Sequence, residues 1–270
     1  MKVFKFLQYY FVSLVGALYL YSFGFLRGKN RTLLYAIAAH FSSLGTNPFK
    51  AKPILPEKKI SKTVGDLLTI TVCEPDEVDG NVTLTELVVL DGLVRRHAPA
   101  RVLEIGTFDG RTTLNLASNT SPNAEIHTLD LPQSQVGALP VEDIELRYIK
   151  KPQPGMRIAG HRFEKQIVQH LGDSALFDFS RFGKSLNLVF VDGAHSQEYV
   201  LNDSLKAIEG LDQRSGVIVW HDYGSWNGVT NVLNTLYQTD PRFSGLFRVS
   251  GTSLAVLVVE PSNTVTAGSP

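Results

Sequence analysis

The sequence predicts an α/β domain: a mostly parallel, seven-stranded sheet with helices on both faces, closed at its C-terminal end by an antiparallel β-hairpin. Three observations predict it. Short runs rich in Val, Ile and Leu alternate with longer segments whose apolar residues recur at helical spacing, as where Gly216-Val-Ile-Val-Trp220 precedes residues 229–237. A glycine turn joins the first such strand to its helix in Arg101-Val-Leu-Glu-Ile-Gly-Thr-Phe-Asp-Gly-Arg-Thr-Thr113. Finally, Asp130, Asp173, Asp192 and Asp222 fall at the carboxyl ends of successive strands, which is the ligand side of an open sheet.

The N-terminal segment, residues 1–45, stands apart. Residues 6–26 carry no charge and are rich in Phe, Leu, Val and Tyr, about the length that a bilayer-spanning helix requires. Lys2 and Lys5 precede this run, and Arg27, Lys29 and Arg31 follow it. Gln8, Ser13, Gly16, Ser22 and Gly24 lower its hydropathy, so a surface-lying or protein-packed helix competes with a membrane anchor. If the run spans, its heavier C-terminal positive flank keeps the rest of the chain in the cytoplasm.

Residues 46–82 read as a linker and strap, with Pro48, Pro53 and Pro56 among several lysines, a weakly alternating strand over 67–73, and a turn-rich stretch over 74–81. The domain proper runs from 83 to 260. Thr83-Leu-Thr-Glu86 has the form of a capping box, and Leu84, Leu87, Val88, Leu90, Leu93 and Val94 continue it as a helix ending near His97 and Pro99. After the strand over 102–105, the turn and the helix over 112–117, a second strand over 125–129 ends at Asp130. Residues 131–160 contain four prolines (132, 140, 152, 154) and no periodicity; a loop so long is expected to act as a lid that covers a cofactor and touches an acceptor. Further strands over 167–171, 186–191 and 216–220 end at Gly172-Asp173-Ser174, at Asp192 and at His221-Asp222, and a helix over 198–211 lies between the last two. Strands over 246–249 and 253–259 flank Ser250-Gly-Thr252 as the hairpin, and residues 261–270 form a polar tail.

Composition bounds the function. At 270 residues, 43% hydrophobic and 19% charged, the chain is folded and large enough for one α/β domain with an appendage. Lys plus Arg equals Asp plus Glu at 26 each, which argues against a nucleic-acid partner. The lone cysteine, Cys73, excludes an intramolecular disulfide and a multi-cysteine metal site, and fits a reducing compartment.

The turn itself points to a nucleoside. Its glycines let a ligand's polar groups approach bare backbone, and Asp130, twenty residues beyond Gly110, stands where nucleoside-binding folds place a carboxylate for the ribose diol. A dinucleotide fold needs G-x-G-x-x-G, but here the pattern is Glu104-x-Gly106-x-x-x-Gly110, without the glycine that admits a pyrophosphate. The stretch resembles the first motif of class I S-adenosylmethionine-dependent methyltransferases, whose fold is Rossmann-like. The resemblance implies that Glu104, Gly106, Thr107 and Gly110 face the methionine half of S-adenosyl-L-methionine and Asp130 its ribose. It also implies that Asp173 and Ser174 lie around the adenine, although Asp173 reads equally well as a helix N-cap.

A second constellation comprises Asp192-Gly-Ala-His195 and His221-Asp222. Two carboxylates and an imidazole suit Mg²⁺ or Mn²⁺, and the histidine also permits Fe²⁺; the alternative is that both aspartates cap helices and His221 packs in the sheet. Asp192 to Tyr199, followed by Gly216 to Tyr223, resembles the group containing metal-dependent sugar and macrolide O-methyltransferases and cephalosporin-hydroxylase-like proteins. That resemblance implies Asp192, His221 and Asp222 as metal ligands and His195 as general base, with His221-Asp222 departing from the group's Glu-Asp pair. Trp220, Tyr223 and Trp226 are candidates for stacking on an acceptor, or for the core.

The expected function is therefore O-methylation of a hydroxyl on a small metabolite or sugar-containing acceptor, in the cytoplasm. The competitors are an NAD-dependent oxidoreductase and a non-catalytic, membrane-tethered binding protein on the same fold. Oligomeric state is open, a homo-oligomer included.

Overall fold

The computed structural model describes residues 2–41, 50–132, 138, 140–141, 153–212 and 215–259. The chain forms two compact units, Met1–Lys52 and Pro53–Pro270. In the first, helix α1 (Lys2–Ser22) is followed by a 3-10 turn (Gly24–Leu26) and helix α2 (Gly28–Phe41). The uncharged run over residues 6–26 is therefore not one helix. The α-helix stops before Gly24, where a Cβ would lie 3.1 Å from the Tyr19 carbonyl, and Asn30 Nδ2 donates to the Gly24 carbonyl at 2.9 Å. Among the described residues no helix is long and apolar enough to cross a membrane.

The second unit is built on an eight-stranded sheet: β1 (Glu57–Lys58), β2 (Arg101–Ile105), β3 (Glu125–Asp130), β4 (Ile167–Leu171), β5 (Leu188–Val191), β6 (Gly216–Trp220), β7 (Phe247–Val249) and β8 (Ala255–Val259). Its order is β1-β7-β8-β6-β5-β2-β3-β4. Strands β4, β3, β2, β5 and β6 run parallel, and β8 joins antiparallel to both β6 and β7. The order reverses direction at β2, and this is the place where an open α/β sheet binds its ligand.

Helices cover both faces: α3 (Ile60–Val64), α4 (Leu84–His97), α5 (Arg111–Asn119), α6 (Gln197–Gly210) and α7 (Asn227–Thr239). Alternate strand residues feed two cores. Val102, Leu188, Phe190 and Val217 pack with Leu87, Leu90 and Leu116 of α4 and α5. Leu103, Val189, Val191 and Ile218 pack on the other face with Val200, Ala207 and Leu233 of α6 and α7. Burial on both faces explains why these strands read as continuous apolar runs.

Two expectations are corrected. Glu57–Lys58, placed in the linker, is an eighth strand that pairs parallel with β7. Residues 67–73, expected as a strand, form none and do not join the sheet. Their backbone groups bond instead to amide side chains of α5: Thr71 N and Cys73 N donate to Asn119 Oδ1 and Asn115 Oδ1, both at 2.8 Å, and Asn115 Nδ2 returns a bond to the Cys73 carbonyl. The capping box forms as expected, with Thr83 and Glu86 bonding reciprocally. The tail, residues 261–270, lies outside the described residues, as does most of the expected lid over 131–160.

Candidate active site

A cavity of about 290 Å³ opens at the carboxyl ends of β2, β3, β5 and β6. One end is walled by Gly106, Phe108, Asp130, Leu131, Asp173 and Ser174, the other by Asp192, His195, His221, Asp222 and Trp226, and the turn Asp79-Gly80-Asn81 also lines it.

The first end is shaped by the glycine turn. Gly106 has φ +99°, and a Cβ there would lie 1.9 Å from the Asp192 carbonyl oxygen, so glycine is required by the close approach of two strand ends. Asp130 closes the turn onto β3: its Oδ2 accepts from Phe108 N and its Oδ1 from Leu131 N, both at 2.8 Å. Phe108 stands where a dinucleotide fold has its second glycine and adopts a left-handed φ of 48°, and it lines the cavity. Asp173 does not cap an α-helix. It accepts from Ala175 N at 2.9 Å, from Tyr199 Oη at 3.0 Å and from Ala138 N.

Glu104, Thr107 and Gly110, expected against the ligand, do not line the cavity. Thr107 Oγ1 turns inward to Thr128 Oγ1 at 2.6 Å, and Gly110 is covered by Ile158, which would stand 2.8 Å from a Cβ. Glu104 is fully buried and accepts from Thr113 and Thr128. Burial pushes its carboxyl up to about 8, against those two hydrogen bonds and helped by the charges of Asp192 and Asp130. These three residues form the back of the turn.

Loop segments clamp the same turn. Arg111, 0% exposed, donates to the carbonyls of Glu74, Val82 and Pro75, and so staples the stretch carrying Asp79 and Asn81. Residues 153–160 close from the other side, with Gly155 N and Arg157 N donating to the carbonyls of Phe108 and Asp109.

At the second end the strand-end residues converge. His221 Nδ1 lies 3.0 Å from Asp192 Oδ1 and 3.3 Å from Asp222 Oδ2, and its Nε2 lies 3.2 Å from Glu86 Oε2. Burial alone would depress the imidazole, but the charges of Asp192 and then Asp222 outweigh it and hold it well above its ordinary value. Burial likewise opposes ionisation of Asp222, yet the His221 charge and the contacts with His195 and His221 hold that carboxyl well below the usual range. His195 Nε2 sits 3.0 Å from Asp222 Oδ2. Its ring stacks on Trp226 with centroids 4.5 Å apart and planes 10° from parallel. Asp222 itself holds a left-handed φ of 65°, a strained backbone at the point where two histidines meet.

Donor atoms of Asp192, His221 and Asp222 all lie within 4.8 Å of one another. This mixed nitrogen and oxygen set fits a divalent ion such as Mg²⁺, Mn²⁺ or Fe²⁺. Of the three aromatic candidates only Trp226 reaches the cavity. Trp220 is in the core and donates to Ser204 Oγ at 2.9 Å, while the Tyr223 hydroxyl serves Ile54 N and Leu55 N. Sequence reasoning missed Glu86, Phe108, Asp79 and Asn81 as parts of the site. For Glu86 the capping-box spacing signalled only its role in starting α4.

Residues 103–223 match a family model described as a methyltransferase domain. The fold is similar to that of the O-methyltransferase TomG from Streptomyces achromogenes, solved in complex with SAM, at 19% identity over 72% of this chain and 92% of that chain, with a TM-score of 0.50. An O-methyltransferase from Bacillus cereus in complex with SAH matches at 17% identity over 68% of this chain and 84% of that one, with a TM-score of 0.47. Among curated proteins none matches the sequence. Residues 103–223 thus match a methyltransferase domain, and the second unit carries it on a mostly parallel sheet with a terminal antiparallel pair, the fold it shares with TomG.

Proposed function

We propose that the chain is an S-adenosylmethionine-dependent O-methyltransferase that methylates a hydroxyl of a small metabolite or sugar-containing acceptor, with assistance from a divalent metal. One observation carries this reading: a single cavity joins the wall around Gly106 and Asp130 to a His195 whose Nε2 is 3.0 Å from Asp222. Bound S-adenosylmethionine supplies a methyl group on a sulfonium sulfur. Two tasks remain for the chain, namely holding the acceptor oxygen in line with that methyl and removing its proton.

His195 is the base in this scheme. Stacking on Trp226 fixes its ring plane, and the Asp222 carboxylate favours the imidazolium that forms. The oxygen–carbon bond forms as the carbon–sulfur bond breaks with its electron pair passing to sulfur, and the hydroxyl proton ends on His195. Asp192, His221 and Asp222 are the residues that would hold a divalent ion, which would supply Lewis acidity to lower the hydroxyl pKa.

The charge of the wall bears on the acceptor. Among the described residues it carries five aspartates, Asp79, Asp130, Asp173, Asp192 and Asp222, and no Lys or Arg. Such a wall repels a phosphate or carboxylate and favours a neutral hydroxylated acceptor.

Calorimetry with S-adenosylhomocysteine and with NAD is the first test, and binding of NAD in place of S-adenosylhomocysteine overturns the reading. The second is transfer of labelled methyl to a panel of neutral and phosphorylated polyols. Neutral acceptors should turn over, and His195→Ala should lose about 10²- to 10⁴-fold in kcat. Unchanged turnover in that variant at every pH removes His195 as the base.

A further inference from the structure

Glu86 belongs to α4, an element outside the strand-end motifs, and is 4% exposed. Both of its carboxylate oxygens are spoken for. Oε1 accepts from Ser253 N at 2.8 Å and Ser253 Oγ at 2.7 Å. Oε2 accepts from Thr83 N and Thr83 Oγ1, both at 2.9 Å, and faces His221 Nε2 at 3.2 Å. The first residues of α4 and the connection between β7 and β8 thus lock one carboxylate against the far nitrogen of a histidine whose near nitrogen faces Asp192 and Asp222.

We propose that Glu86 is a positioning residue: it holds the Nε2–H of His221 and thereby presents Nδ1, with Asp192 and Asp222, as the nitrogen donor of a divalent-metal site. The inference rests on the metal reading above. An imidazole nitrogen that carries a proton cannot ligate a metal, so one nitrogen must bear the proton while the other offers its lone pair. With an ion taking the Nδ1 lone pair between Asp192 and Asp222, the ring would keep only its Nε2 proton, and the Glu86 carboxylate, an acceptor alone, stands 3.2 Å away to receive it. A carboxylate behind a ligating histidine fixes its tautomer and ring orientation, and loss of such a group typically weakens metal affinity by about 10- to 100-fold.

The donors around Glu86 make one substitution sharp. Each oxygen receives a backbone N–H, from Ser253 on one side and Thr83 on the other, so Glu86→Gln must set its own NH₂ against one of them. If the NH₂ turns to Thr83, it also confronts His221 Nε2 with a donor.

The test uses the full chain with Mn²⁺ as titrant and Zn²⁺ as a diamagnetic probe. Glu86→Gln should bind Mn²⁺ about 10- to 100-fold more weakly than the parent, while Thr83→Ala, which removes the cap hydroxyl but keeps the carboxylate, should stay close to the parent. Folded Glu86→Gln that binds Mn²⁺ as tightly as the parent overturns the proposal. Side-chain ¹⁵N spectra of the Zn²⁺-loaded parent provide a readout that does not depend on any variant folding. His221 protonated on Nε2 supports the proposal; a proton on Nδ1, or on both nitrogens, overturns it. A parent that binds neither ion overturns the metal reading itself, an outcome distinct from equal binding by parent and variant.

Discussion

Gly228, in the first turn of α7, lies against the backbone of His195: a Cβ on it would sit 1.9 Å from the His195 carbonyl oxygen. The helix that supplies Trp226 as its cap therefore seats the candidate base through both its ring and its main chain. Gly228→Ala should push the two apart. The expected result is a loss of about 100-fold in kcat from misplacement of the base, with about 1–3 kcal/mol lost in stability through overpacking. Affinity for S-adenosylhomocysteine should change little, because Gly106 and Asp130 lie at the other end of the cavity. Steady-state kinetics and calorimetry check this, and an alanine variant with parental kcat refutes it.

Asp130, proposed above to stand at the cofactor, accepts two backbone bonds at 2.8 Å, one to each oxygen. An asparagine retains one acceptor oxygen and turns an NH₂ against the second N–H. Hydrogen bonds to a charged group contribute about 1.5–3 kcal/mol, so Asp130→Asn should bind S-adenosylhomocysteine roughly tenfold or more weakly. Parental affinity by calorimetry would count against the assignment of Asp130 to the cofactor.

Arg111 tests the loop clamp. Its guanidinium meets carbonyls of Glu74 at 2.6 Å, Val82 at 2.7 Å and Pro75 at 3.3 Å, a fork that a lysine ammonium cannot reproduce. Each buried carbonyl left without a donor costs about 1–3 kcal/mol. Arg111→Lys should lower Tm measurably and raise KM, because the loosened segment carries Asp79 and Asn81 into the cavity wall. A variant with unchanged Tm would show that the staple is not needed.

The pH dependence of stability has a definite sign. Asp91 is fully buried in α4, and neither of its oxygens has an aligned hydrogen-bond partner among the described residues. Burial drives its carboxyl from 3.8 up to about 8, against the opposing pull of Asn119, Arg95 and Arg111. Between those values the unfolded chain releases a proton that the folded chain keeps. The stabilisation is complete below about pH 4 and declines as pH rises through 8, by up to about 1.4 kcal/mol per unit from this group. Glu104, raised to about 8, and Asp203, raised to about 7, both mainly by burial, act in the same direction. Asp91→Asn should gain Tm over the parent progressively from pH 4 to pH 8. Parallel melting curves for the two proteins would exclude a neutral buried Asp91.

What could be read in advance was local. The strand, glycine turn and helix over 101–119 declare themselves because apolar spacing and a pair of glycines act within a dozen residues. Asp130, Asp192, His221 and Asp222 were legible as strand-end residues, and the structure does bring the last three together. Residues 67–73 misled because alternation reports a half-buried extended chain, not the partner for its hydrogen bonds; here those partners are the amide side chains of Asn115 and Asn119. Glu57–Lys58 was hidden by neighbouring prolines and by its short length.

The sequence by itself determined the class of sheet, the order of its elements and the residue types at the strand ends, since each depends on periodicity and turn chemistry along the chain. Only the tertiary structure decided which of those residues meet. Glu86 and His221 are 135 residues apart, and no spacing rule connects them. The same holds for Gly228 beneath His195, and for Glu104 turned away behind the turn. A histidine's tautomer, a carboxyl's pKa and the need for a missing Cβ arise from atoms within about 4 Å, and folding, not sequence order, chooses those neighbours.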